Sequence, residues 1–260
     1  MRLGSAYNGP MSLGGNSGGP VASRARHFAT TRWTIVLAAG RGNSRESSEA
    51  LAALCQAYWF PVYSYARRMS ASTADAQDLT QAFFAHLLEK AALAKADPER
   101  GRFRTFLLAA LVNFLANERD KERAQKRGGG RPAIALDFTT GESRHQIEPA
   151  HDLTPDRLFE RRWALALVEQ VLEMLRAELA AGGKEGHFDQ LKGALIGEMT
   201  GDDYERASEQ LGISPAAAKQ AAYRLRKRYR ELFRLEVART VADDSEVDDE
   251  IGRLMEILSG

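Results

Sequence analysis

The chain has a single cysteine, Cys55, in 260 residues. That excludes an internal disulfide and leaves no cysteine-based metal site. Cys55 lies in an apolar helical pattern and reads as a core residue. No apolar run approaches the ~20 residues that a membrane-spanning helix needs. The start lacks the apolar segment of a secretory signal, so a cytoplasmic location is expected. Net charge is almost absent as well, since 36 Lys and Arg oppose 35 Asp and Glu. No global field can draw this protein onto nucleic acid; any such attraction must come from local patches. Nucleotide-binding signatures are missing, with no GxxxxGK[ST] loop and no GxGxxG after a strand. The histidines, His27, His86, His145, His151 and His187, are scattered, and none stands at ligand spacing with another metal-binding residue. Asp75 and Asp78 sit at a helix start, where acidic residues are favoured in any case. These absences argue against an enzyme, a resident metal and a cofactor. Strand patterns of weight are missing too, so the expected fold class is all-α.

What is present is segregated charge on amphipathic helices. The most informative stretch is Tyr204 to Arg234, YERASEQLGISPAAAKQAAYRLRKRYRELFR. Tyr204, Ala207 and Leu211 form one apolar face of a short helix. Gly212 permits a reversal of the backbone, and Ile213 can fill the angle between two helices. Ser214 is a good N-cap and Pro215 suits the first helical position. On the second helix Ala218, Ala222, Leu225, Tyr229 and Leu232 share an inward stripe. Gln220, Tyr223, Lys227, Arg230 and Arg234 fall on the opposite stripe, flanked by Lys219, Arg224, Arg226 and Arg228. A helix so basic, and so small at its start, can enter a major groove and hold phosphates with its later cations. The plainer alternative is a surface helix with a solvated cationic face.

The rest of the chain divides by composition. Residues 1–26 are rich in Gly, Ser and Asn and read as a disordered leader. A helical domain is expected over 27–127. It opens with a short helix in HFATTRWTIVLAA, capped by Thr30 or Thr31. Residues 48–69 follow at helical spacing, with Pro61 expected to kink or split the helix. A capping box at Ser72 and Asp75 opens the next helix, whose apolar face holds Leu79, Phe83, Phe84 and Leu87. FRTFLLAALVNFLANERDKERAQKR, from Phe103, is apolar and aromatic in its first half and basic in its second. Aromatic and amide groups beside cations suit opened DNA, whose unstacked bases can be held out of the duplex. A core helix with a solvated end remains the alternative. A flexible linker is expected over 128–155 and a second helical domain over 156–241. That domain should begin with a long helix ended by Gly182-Gly183, then a shorter helix over Phe188 to Ile196, then the helix-turn-helix. An acidic C-terminal tail, 242–260, closes the chain, with a possible short helix through Val247, Ile251, Leu254, Met255 and Leu258. The tail is expected to screen the basic helix.

Two helical domains with these features resemble an extracytoplasmic-function sigma factor of the sigma-70-like superfamily, over about His27 to Val241. DAQDLTQAFFAHLLEK is similar to that family's polymerase-binding helix, pattern D-x-x-D-L-x-Q-x-x-F. FATTRW, ADPERGRFRTFLL, FLANERD, AQKRGGG and LTPDRLFERRWAL resemble a planctomycete-type subgroup. The resemblance implies core RNA polymerase and promoter DNA as partners, with an anti-sigma factor or other regulator left open. It implies polymerase binding by Asp75, Asp78, Gln81 and Phe84. It implies minus-ten contacts from Arg102, Arg104, Phe106, Asn113, Asn117, Arg119 and Arg123. Minus-thirty-five contacts fall to Ser214, Ala217, Lys219, Gln220, Tyr223, Arg224 and Lys227. Phe106 and Asn117 depart from the Trp and Asp common in the family. Ala217, Ala218, Ala221 and Ala222 replace larger residues, so a narrower, weaker minus-thirty-five readout is expected. Two other readings stay open: a stand-alone helix-turn-helix regulator, and a helical adaptor that binds only proteins.

Overall fold

A computed structural model describes residues 33–40, 45–89, 92–97, 101–124, 136, 138, 142, 153–197 and 199–259. Among them the regular elements are all helical. The expected leader, Thr30 and Thr31, and most of the expected linker lie outside the described residues.

Helix α1 spans Trp33–Ala39 and α2 spans Arg45–Met69. Ser47 Oγ on α2 donates to the carbonyl of Ala39 at 3.0 Å and fixes the turn between them. Pro61 neither ends nor divides α2. An interior proline costs about 3 kcal/mol through its missing N–H and ring clash. Here the residues from Phe60 to Ala66 are all buried, and their packing outweighs that penalty. Helix α3, Thr73–Glu89, starts as its sequence expects. The Asp75 amide donates to Ser72 Oγ at 3.1 Å, and the Ser72 hydroxyl donates to the Asp75 carboxylate at 2.7 Å. Helix α4, Phe103–Ala124, follows a short 3-10 turn. Its stripe of Phe103, Leu107, Leu111 and Phe114 is buried against α2 and α3. Phe114 meets Phe83 at a 5.6 Å centroid distance, and Tyr58 meets Phe103 edge-on at 5.5 Å.

Helix α5, Pro155–Ala181, is the longest in the chain's described part, with Thr154 as N-cap and Pro155 in the first turn. Gly182 and Gly183 end it, Gly183 at φ +67°. Its first half belongs to the core of α2 and α4. Phe159 stacks on Tyr58 at 6.4 Å, Arg162 lies over the Phe60 ring, and Trp163 is buried beneath Arg104. Burial pushes the Tyr65 phenol up to about 12, and Asp156 at the start of α5 adds to the effect. The second half of α5 carries the remaining helices. α6 (Glu185–Leu191) and α7 (Gly193–Ile196) replace the single short helix expected over Phe188 to Ile196. They lead into α8 (Gly201–Leu211), α9 (Pro215–Ala238) and, after a 3-10 turn, α10 (Val247–Ser259). One apolar core therefore runs from Val36 on α1 to Leu254 on α10.

Within the expected linker, Leu136, Phe138 and Glu142 are docked on the helices. The Phe138 ring lies 5.5 Å from Tyr63 and 6.2 Å from Trp59. The Tyr63 hydroxyl donates to Glu142, which also pairs with Arg67 at 3.5 Å. Leu136 packs on the main core.

Candidate nucleic-acid interface

The helix-turn-helix is built from its caps inward. Thr200 Oγ1 accepts from the Asp203 amide, and the Asp203 carboxylate accepts from the Thr200 amide at 2.8 Å, a reciprocal capping box for α8. These bonds hold the Asp203 carboxyl below the usual carboxylate range. Gly212 ends α8 at φ +64°, the left-handed region that only glycine enters without strain. Ser214 then caps α9 by accepting from the Ala217 amide at 3.2 Å. Tyr204 locks the angle between the two helices. Its hydroxyl accepts from Arg226 at 3.1 Å, while Lys219 lies 5.7 Å from its ring.

The inward stripe of α9 is as the periodicity implies: Ala218, Ala222, Leu225 and Leu232 are buried. Tyr229 is half-buried, and burial raises its phenol above the ordinary value. On the outer side Ser214, Lys219, Gln220, Tyr223, Arg224 and Lys227 are exposed, and Ala217 is half-buried. Tyr223 stands 62% exposed, unusual for an aromatic side chain. It lines a groove of about 410 Å³ with Arg226, Lys227, Arg230 and Arg234. Two arginines of this helix serve the fold instead. Arg228 Nε donates to both Glu178 oxygens, at 2.9 and 3.0 Å, tying α9 to α5. Arg234 pairs with Asp248 of α10. Asp248 raises the Arg234 guanidinium above its ordinary value and is itself held below the usual carboxylate range.

A second exposed face lies on α4. Asn113 and Asn117 are exposed one turn apart, with Arg119 exposed beyond them. Arg119 Nη2 donates to the Met69 carbonyl at 3.2 Å, which orients the guanidinium near the end of α2. Val112, beside Asn113, is 41% exposed. On α3, Asp75 and Asp78 are exposed and Gln81 is half-buried.

Three expected site residues are placed differently. Phe84 is 2% exposed and packs 5.7 Å from Phe83, so it fills the core and cannot face a partner. Arg104 is 2% exposed, sandwiched between the Trp163 ring at 4.5 Å and the Glu250 carboxylate of α10. Arg102 is partly covered and pairs with the same carboxylate. Phe106 is half-buried, 5.9 Å from the Phe103 ring. The Arg123 side chain lies outside the described residues. Glu250 itself was invisible in the sequence, where an acidic run reads as solvated. Arg104, however, carries a local signal, for it stands three and seven positions before Leu107 and Leu111 on their buried stripe.

Comparison with known families adds one finding. Residues 54–125 match the model of Sigma-70 region 2. This segment is similar to sigma-70 region 2. The matched residues are most of α2, all of α3 and all of α4, so the matched segment contains both the acidic edge of Asp75 and Asp78 and the amide-rich face of Asn113 and Asn117. No curated protein and no solved structure matches the chain. None of the described helices is long and apolar enough to cross a membrane, and the described residues contain no cluster of metal-ligating side chains.

Proposed function

We propose that the chain is a sigma factor of the extracytoplasmic-function type, which binds core RNA polymerase and directs promoter recognition, melting and initiation. The observation that carries this reading is the coincidence of the region 2 match with two differently built faces on one domain. The acidic edge of α3, Asp75 and Asp78 with Gln81 beside them, suits a protein partner. The α4 face, Asn113, Asn117 and Arg119, suits opened DNA: amides can hydrogen-bond unpaired base edges while the cation holds the backbone.

The helix-turn-helix supplies the second contact. Lys219, Gln220, Tyr223, Arg224 and Lys227 face outward together, as a major-groove helix requires. Two weak contacts on one chain reinforce each other through effective concentration. The small side chains at Ala217 and Ala221 leave few base-reading atoms, so phosphate contacts should dominate duplex binding. Subgroup assignment rests on FLANERD, AQKRGGG and the other short phrases of the sequence. An anti-sigma partner would be sought by co-purification.

The test is transcription from genomic promoters by core polymerase plus this protein. Specific initiation is expected, and Asp78→Arg should abolish it by removing polymerase binding. The exposed, fully capped helix-turn-helix also favours a second reading, a stand-alone regulator. That reading expects tight operator binding without polymerase and no effect of Asp78→Arg.

A further inference from the structure

Arg102 and Arg104 stand at the start of the helix that carries Asn113, Asn117 and Arg119, yet both are turned into an internal contact. Their partner is Glu250, whose side chain has no solvent exposure. We infer that α10 is a releasable cover over a concealed phosphate-binding site made by Arg102 and Arg104. The inference rests on the reading of α4 as an opened-DNA face and adds the control of that face.

The seat is poorly matched to its occupant. Two guanidinium groups share one carboxylate, with Glu160 a distant fourth member 3.9 Å from Arg104 Nε. Arg104 Nε and Nη2 are buried without a hydrogen-bond partner. Arg102 Nε touches Glu250 Oε2 without hydrogen-bond alignment, and that oxygen accepts no other bond. A buried cluster with donors to spare adds little net stability, because desolvation offsets the attraction. It does, however, define which groups could satisfy it. A phosphate brings more acceptor oxygens than one carboxylate and matches the guanidinium fork.

Beyond the seat, α10 is held by one apolar stripe: Val247 and Leu254 are buried, Ile251, Ile257 and Leu258 are partly buried against the core, and Met255 is 54% exposed. The Arg234–Asp248 tie to α9 is exposed to solvent and screened by salt. Residues 239–246 join α10 to α9 by a turn and a short 3-10 segment rather than by a continuous helix. The cover can therefore swing away without unwinding α9, at the expense of uncovering Val247 and Leu254. Nucleic acid is the favoured occupant because phosphate fits the paired guanidinium forks, and Asn113, Asn117 and Arg119 lie further along the same helix, the two amides on a different side of it from Arg104.

The experiment uses the full chain and its Glu250→Gln variant, with circular dichroism to confirm that the variant keeps its helices. The probe is an A·T-rich duplex with a mismatched bubble, titrated over a salt series. Glu250→Gln should bind about tenfold more tightly at low salt, and its log–log salt slope should steepen by ~1.4, the increment for two more single-strand phosphate contacts. In the wild-type protein, hydrogen exchange over residues 247–259 should quicken when the bubble duplex binds. That arm decides the question alone if Glu250→Gln loses its helices. Equal affinity and slope in a folded variant would overturn the inference, as would unchanged or slowed exchange in the DNA-bound wild type. Quickened exchange with core polymerase but not with DNA would overturn the assignment of the occupant. Failure of both proteins to bind the probe would instead overturn the reading of α4, and the cover with it. A wild type that binds and initiates while α10 stays protected would sink the cover alone.

Discussion

The Tyr204 hydroxyl on α8 accepts a hydrogen bond of 3.1 Å from Arg226 on α9, closing the angle of the helix-turn-helix 22 positions apart. This bond also holds Arg226 away from solvent on a helix whose other cations mostly point outward. Tyr204→Phe keeps the ring and the Lys219 contact but leaves the guanidinium unmatched. The expected loss is about 1 kcal/mol in stability, read from the urea midpoint. Duplex affinity should fall severalfold because α9 is less firmly aimed.

Gly212 tests the turn by a different route. A Cβ built there meets nothing within 4 Å, so space is not the constraint. The constraint is its φ of +64°. Gly212→Ala should cost about 1–2 kcal/mol through backbone strain, and Gly212→Asn should cost less. Equal stability of all three proteins in chemical denaturation would refute this account of the turn.

The two faces proposed to bind DNA should separate by probe. Lys227→Ala should weaken duplex binding and lower the log–log salt slope by ~0.9, one phosphate contact on B-form DNA. Asn113→Ala with Asn117→Ala should leave the duplex slope unchanged and weaken binding to a bubble duplex. The check is fluorescence anisotropy with both probes over the same salt range.

Asp203 gives a pH-dependent signature. Its folded value lies below 3.8, chiefly because of the hydrogen bonds with Thr200, with Arg206 adding to the effect. Lowering in the folded state means that this carboxylate favours folding at pH above the unfolded value. The contribution is lost as pH falls through the lower folded value. Thr200→Ala should move the Asp203 titration up towards 3.8, as followed by carboxyl-carbon NMR. A titration that does not move would assign the shift to Arg206 alone.

Much of this architecture was legible because it is local. The caps at Ser72, Ser214 and Gly212 are chemistry within a few residues, and the stripes of α4 and α9 follow the helical repeat. The likeness of residues 54–125 to Sigma-70 region 2 was legible in DAQDLTQAFF for the same reason. What escaped is long-range. The ion pair of Arg104 with Glu250 joins residues 146 positions apart, and no periodicity links an acidic tail to the start of a distant helix. Phe84 was placed on a partner surface because a motif names residue types without saying which of them the core needs. The uninterrupted α2 shows the same override, since burial around Pro61 outweighs a local breaker.

Helix α5 serves both units. Trp163 and Phe159 complete the core of α2 and α4, while Glu178 on the same helix anchors Arg228 of α9. Heat or denaturant should therefore melt the molecule in one step, and Trp163→Ala, at about 3–5 kcal/mol, should weaken the helix-turn-helix along with the α2–α4 unit. It also means that the halves are poor candidates for study in isolation. A fragment cut before Leu153 would bare Leu158, Phe159, Trp163 and Leu167 to water and aggregate through them, however well its helix-turn-helix is capped.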